Sequence, residues 1–256
     1  MTRPPPVLAV LAALILSACG GDPRQDSPAA VERNPNVAGY LAPPSVTLAS
    51  LDGRAVVLRG VAPPGSRVRL AAPGGTPLFA DTDRRGAWTL PLPPASGPRL
   101  FGLSAISEGR AVQAKGYLLV TASGRAVLLR SGAGAVVIGG GSAPRLTAVD
   151  FDNAGGMTVS GRAEPETDLN LRLDGRQRAE GRSDAEGRFA IALPEAPPGR
   201  RTIEVLGRGV FGAEVVIAPI AAPSGAFRAY MAGPHLRVDW RTPGGGLQST
   251  LILKGA

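Results

Sequence analysis

One cysteine and one histidine are all that 256 residues offer to the commonest catalytic and metal-binding chemistries. With Cys19 alone no intrachain disulfide forms and no thiolate metal site assembles. His235 alone would have to serve as base in any Ser-His-Asp or Cys-His mechanism, and no Gly-x-Ser-x-Gly elbow accompanies it. It also falls short of a zinc site and reads as a structural histidine. Aromatic residues make up only 4% of the chain. Beyond the first 18 residues no apolar stretch has helical period, and none approaches the roughly 18 residues of a membrane-spanning helix. Lysine is nearly absent: Lys115 and Lys254 are the only two among 28 basic residues, the rest being arginine. These absences point away from an enzyme, a cofactor and a metal, and no nucleic-acid partner is expected.

What is abundant is glycine, proline and short apolar runs. With 35 Gly, 25 Pro and 44% apolar residues in alternating segments, the composition is that of an all-β protein rather than a disordered chain. Charge is uneven. Residues 41–141 hold 11 basic and 4 acidic side chains, while residues 142–256 hold 14 and 13. A basic first half favours anionic surfaces such as lipid head groups or acidic polysaccharide. Scattered arginine on solvated strand faces is the competing explanation.

The N-terminus carries one charge, Arg3, then Pro4-Pro5-Pro6 and an apolar run from Val7 to Leu16. A charged start, an apolar run of about 10 residues and small residues at its end make a secretory signal. Leu16-Ser17-Ala18-Cys19 resembles a bacterial lipobox. The resemblance implies cleavage before Cys19, acylation of its thiol and attachment to a membrane. Gly20, where aspartate would signal retention, points by the same resemblance to the outer membrane, facing the periplasm or the cell surface. Residues 1–18 are thus the expected signal peptide. Residues 19–40, rich in Gly, Pro and Asn, form a lipidated tether with too little apolar content for a core.

From Pro44 onward strands and turns alternate every 8 to 12 residues or so, the spacing of a β-sandwich. The plan then repeats. Pro44 and Pro144, Gly60 and Gly161, Asp83 and Asp184, and Gly86 and Gly187 correspond at an offset of 100 or 101. Trp88 matches Phe189, and Val68 matches Leu169. This is a tandem duplication, with units at residues 41–141 and 142–256. Each ends in an added glycine-turned hairpin, Arg125–Ile138 in the first and His235–Leu253 in the second. Each hairpin is expected to cover an edge or the end of its own sandwich. Gly139 to Pro144 is a linker, since Pro144 stands where a dinucleotide loop needs its third glycine.

Gly60-Val61-Ala62-Pro63-Pro64-Gly65 and Asp83-Arg84-Arg85-Gly86-Ala87-Trp88 resemble the bacterial Ig-like repeats of envelope and surface proteins, as do Gly161-Arg162-Ala163-Glu164-Pro165 and Asp184-Ala185-Glu186-Gly187-Arg188-Phe189. The resemblance implies two tandem Ig-like β-sandwich domains and a spacer or binding role; it carries no catalytic residue. Transthyretin-like modules share much of the pattern and are the alternative fold. In the second unit Glu166 replaces the turn glycine, so a different first turn is expected there.

Few side chains stand out for chemistry. Asp81 with Asp83, and Asp150 with Asp152, have the two-residue spacing of calcium loops but read as turn residues. Glu164 and Glu166 read as a solvated face. Arg67, Arg69, Arg84 and Arg85 are the candidate contacts to an anionic ligand. Trp240 and Tyr230 on the last hairpin are the candidate aromatic contacts, with a core position for Trp240 the alternative. The expectation is a lipid-anchored envelope protein acting as a non-catalytic spacer or binding module. Its partners would be the membrane, and envelope polysaccharide or another envelope protein. The alternative is a binder of anionic glycan or lipopolysaccharide through the basic first unit; a hydrolytic enzyme is the remaining rival.

Overall fold

The Asp-x-x-Gly segments show how local sequence sets this structure, a computed structural model that describes residues 40–195 and 197–256. Asp83 Oδ1 accepts hydrogen bonds from the backbone N–H of Arg85 (2.8 Å) and Ala87 (2.9 Å). Asp184 repeats the arrangement with Glu186 (3.0 Å) and Arg188 (2.7 Å). Gly86 and Gly187 close the two turns at φ 80° and 74°, backbone geometry that glycine adopts without strain. Asp83 and Asp184 are thus turn residues, and so is Asp152, whose Oδ1 accepts from Ala154 N and Gly156 N.

Among the described residues there are 19 strands and no helix. In the first module β1 (Ser45–Asp52), β2 (Ala55–Val61) and β5 (Ala87–Leu92) form one sheet in the order β1-β2-β5. The facing sheet contains β3 (Arg67–Ala71), β4 (Leu78–Asp81), β6 (Arg99–Ser107), β7 (Arg110–Val120), β8 (Ala126–Leu129) and β9 (Val136–Ile138), ordered β4-β3-β6-β7-β8-β9. In the second module β10 (Arg145–Asp152), β11 (Met157–Arg162), β14 (Arg188–Leu193), β17 (Phe227–Ala232), β18 (His235–Arg241) and β19 (Leu247–Ile252) are ordered β14-β11-β10-β19-β18-β17. They face β12 (Asp168–Leu173), β13 (Arg176–Arg182), β15 (Gly199–Leu206) and β16 (Val210–Ile217), ordered β13-β12-β15-β16. Strands one, two and five against three, six and seven is the Ig-like division, and it recurs in both modules. The fold is two tandem Ig-like sandwiches, not transthyretin-like modules.

Each sandwich buries its own core. In the first, Leu58, Trp88 and Leu90 of one sheet meet Val68, Leu70 and Leu103 of the other. In the second, Val159, Phe189 and Ile191 meet Leu169, Leu171 and Ile203. The strict alternation of β5 and β14, with every second side chain buried, follows from the two-residue period of a strand. The duplicated glycines have a packing reason. Gly60 lies opposite Trp88 in the ladder, and Gly161 opposite Phe189. A Cβ on Gly60 would come within 2.4 Å of the Trp88 ring, and one on Gly161 within 2.6 Å of the Phe189 ring. Only glycine lets the cross-strand aromatic lie over that site.

Two expectations need correction. Glu166 has φ 50°, the left-handed conformation that Gly65 takes at φ 69°, so the first turn of the second module keeps the same backbone despite its missing glycine. The second ending is three strands, because β17 pairs with β18 along Phe227–Ala232. Both endings do extend an edge of their own sandwich. They choose different edges: β8 adds to β7, whereas β19 adds to β10. That asymmetry creates the junction between the modules.

Candidate functional site

The run Tyr117-Leu118-Leu119-Val120 and the run Ala126-Val127-Leu128-Leu129 are apolar at consecutive positions, the mark of strands covered on both faces. Leu118, Val120 and Ala126 point into the first sandwich. Leu119, Val127 and Leu129 point the other way, and with Leu100 and Ala135 they meet Ala148, Val238, Trp240 and Ile252 of the second module. Trp240 is fully buried there. Its indole N–H donates to Thr250 Oγ1 (3.2 Å), and its ring meets Tyr117 edge-on with centroids 5.9 Å apart. Trp240 is therefore no surface aromatic: β17 and β19 flank its strand, and the first module covers its face. Tyr230, two strand positions from the end of β17, stays 36% exposed, with the Arg228 guanidinium 4.8 Å from its ring centroid.

A polar seam runs beside this apolar core. Asp150, on the outer face of β10, is buried and does not bond its own loop, unlike Asp152. Its Oδ2 accepts from Ala135 N of the first module (2.7 Å), and its Oδ1 from Gln248 Nε2 (3.0 Å) and Thr250 Oγ1 (2.5 Å). Gln248 reaches across as well: its Oε1 accepts from Gly132 N (3.2 Å) and its Nε2 donates to Arg130 O (3.3 Å). Burial pushes the Asp150 carboxyl up to about 6, against the pull of these donors and of the Arg130 charge. The turn it holds has no room to spare. A Cβ on Gly134, at φ 75°, would lie 2.2 Å from Ser160 Oγ.

Next to the seam the two modules enclose a cleft of about 750 Å³. Its walls are Pro44 to Thr47 at the start of β1, Ala135 to Gly139 along β9, and the β11, β13 and β14 ends of the second module. Five cations line it: Lys115 and Arg130 from the first module, Arg162, Arg182 and Arg188 from the second. Asp184 is the single carboxylate in the lining. Arg162 and Arg188 stand directly opposite each other in the β11–β14 ladder, a like-charge pairing that costs stability. Arg188 is held by Asp184 (3.0 Å) and Glu186 (2.7 Å), and Arg182 by Asp168 (2.7 Å). Among the described residues the Arg130 side chain bonds only carbonyls, Gly134 O (2.6 Å) and Ala133 O (2.7 Å). Burial lowers the Arg130 guanidinium from its ordinary value; Asp150 opposes that and Arg188 reinforces it.

The arginines singled out from the sequence lie elsewhere. Arg67 and Arg69 are on β3, where Arg67 sits over the Phe79 ring (4.4 Å to its centroid) and opposite Asp81 in the ladder. Arg84 and Arg85 are at the exposed β4–β5 tip. None of the four lines the cleft. The cleft cations were legible only as charges, because nothing local marks which strand ends meet across a module boundary. Leu16, Ser17, Ala18 and Cys19 lie outside the described residues. His235 spans the two sheets of the second module, its Nε2 3.0 Å from Glu214 O and its Nδ1 accepting from Lys254 N (3.2 Å).

No protein-family model matches the chain, and no curated protein matches it. Among solved structures it is similar to the central fibronectin-III array of RIM-binding protein, at 10% identity and a TM-score of 0.27, over 84% of this chain and 90% of that one. It is similar to the D0-D1 domain of intimin, at 12% identity and a TM-score of 0.25, over 70% and 99%. It is also similar to the Yersinia pseudotuberculosis adhesin InvE, at 14% identity and a TM-score of 0.23, over 79% and 69%.

Proposed function

We propose that this chain is a lipid-anchored protein of the bacterial cell envelope whose two Ig-like modules act together, without catalysis, as a spacer and binding module. The observation that carries the reading is the sealed junction. An apolar core containing Trp240 and a buried carboxylate bonded across the boundary join the modules, so that what projects from the membrane is one two-module body rather than two beads on a string. Interfaces between neighbouring domains in a chain are usually more polar and let the domains move; this one spends a tryptophan and a desolvated carboxylate on fixing them.

The anchor follows from Leu16-Ser17-Ala18-Cys19. Acylation at Cys19 by two or more chains gives stable membrane attachment. In this reading the segment 19–40 links the anchor to the modules. In this reading the modules span residues 41–141 and 142–256, and Gly20 supports an anchor in the outer membrane. The non-catalytic reading is supported by the single histidine, both of whose ring nitrogens are engaged, Nε2 with Glu214 O of the facing sheet and Nδ1 with Lys254 N beside its own strand.

Metabolic labelling with palmitate tests the anchor. Wild type incorporates label and partitions into the membrane fraction, and Cys19→Ala does neither. Label retained in Cys19→Ala would refute it. A second reading, a binder of anionic envelope glycan or lipopolysaccharide, is favoured by the five cations of the cleft.

A further inference from the structure

We infer that the cleft between the modules is a binding site for a saccharide segment bearing phosphate or carboxylate groups, and that both modules supply its cations. This rests on the binding-module reading above and moves its site from the face of the first module to the boundary between the two.

Comparison of the two halves of the duplication supports the assignment. At the offset of 101, Arg162, Arg182 and Arg188 occupy the positions of Val61, Asp81 and Ala87. The Val61–Ala87 pair in β2 and β5 faces no second module, and Val61 is 47% exposed. Where the same ladder position borders the cleft, both residues are arginine. The Arg67–Asp81 cross-strand pair likewise reappears with its charges exchanged as Asp168–Arg182, so that the cation is on the cleft strand. A scaffold that needed only to fold would keep the neutral pair, because like charges directly opposite destabilise a ladder.

The junction sharpens this arrangement. Arg130 from one module lies within electrostatic range of Arg188 from the other, a repulsion that its stronger attraction to Asp150 offsets, and among the described residues its side-chain hydrogen bonds go to carbonyls alone. An anion between them removes that repulsion and gains charge-assisted hydrogen bonds. A cleft of about 750 Å³ suits a short oligosaccharide. The hydroxyl oxygens of Ser45 and Thr47 in the lining can accept from sugar hydroxyls. Guanidinium forks match carboxylate and phosphate in the same geometry, so the site selects charged saccharides over neutral ones of equal size.

The test is calorimetric titration of the full chain in detergent with three probes: oligogalacturonate for carboxylate, purified lipopolysaccharide for sugar phosphate, and neutral maltooligosaccharide as control. One or both charged probes bind, the affinity falls as salt rises, and the neutral probe does not bind. The preferred charged probe tells carboxylate from phosphate. Lys115→Glu in the first module and Arg182→Glu in the second each weaken binding about tenfold. Both residues are exposed, so folding is retained and is checked by thermal unfolding. Arg84→Glu at the β4–β5 tip leaves binding unchanged. Binding by neither charged probe, or binding lost with Arg84→Glu and kept with Lys115→Glu and Arg182→Glu, overturns the assignment. Palmitate labelling is independent of these variants. Loss of label with binding intact rejects only the anchor, and loss of binding with label intact rejects only the cleft.

Discussion

Raising the pH from 4 to 7 should weaken this protein through one residue, Asp150. Its carboxyl is lifted from an ordinary 3.8 to about 6, chiefly by burial. A folded-state value above the unfolded one means that the native protein holds its proton more tightly. Stability from this group is therefore full below pH 3.8 and falls as pH rises through 6. The rise from 3.8 to about 6 corresponds to about 3 kcal/mol, of which about 2 kcal/mol falls between pH 4 and pH 7. The geometry accommodates both protonation states. The carboxylate accepts from Ala135 N, Gln248 and Thr250, and the acid can donate instead to Thr250 Oγ1. Asp83, Asp184 and Asp239, whose carboxyls are held low, run the other way and lose stability as pH falls. The comparison must therefore be with Asp150→Asn, which keeps those groups and removes the one in question. Urea unfolding of both proteins at half-unit steps from pH 4 to pH 7.5 provides the measurement. Asp150→Asn is the less stable at pH 4, because its amide sets an N–H against one of the three donors. The gap then closes by about 2 kcal/mol toward pH 7. Curves that stay parallel within about 0.5 kcal/mol would show a carboxyl titrating near its ordinary value, hence a hydrated junction, and the sealed boundary argued above would be wrong.

Three further outcomes follow from the packing. Trp240→Ala removes the largest fully buried side chain of the junction and should cost about 3 to 5 kcal/mol in urea unfolding; a loss below about 1 kcal/mol would mean that the modules barely share a core. Gly134→Ala should cost about 2 to 4 kcal/mol, from a strained φ of 75° and the clash with Ser160 Oγ, and adding Ser160→Gly should restore part of it. Glu166→Gly should stabilise by up to about 1 kcal/mol, because it relieves a left-handed residue at φ 50°, less the entropy glycine adds to the unfolded chain. Destabilisation there would show that the Glu166 side chain holds something.

Much of the architecture is readable without coordinates because its causes are local. The Asp-x-x-Gly turns, the alternating runs and the glycine opposite each cross-strand aromatic depend on residues a few places apart or on one ladder, and the duplication shows them twice. The Glu166 turn is not legible in the sequence, which marks where glycine is preferred and not where another residue bears the strain. Strand β17 leaves little trace in the sequence because none of its side chains is fully buried.

By itself the sequence determined the strand class, the turns and the two-fold repetition, since backbone period and turn chemistry act over a handful of residues. It placed Asp150 in a turn, left Trp240 between surface and core, and gathered the interesting cations on the first unit. Only the tertiary structure decided that the first hairpin adds beside β7 and the last strands beside β10. That choice of edge turns two similar endings toward each other, buries Trp240 and Asp150, and brings Arg130 to Arg162 and Arg188. Which free edge a hairpin joins is set by surfaces more than a hundred residues apart in the chain, a contact that no local pattern encodes.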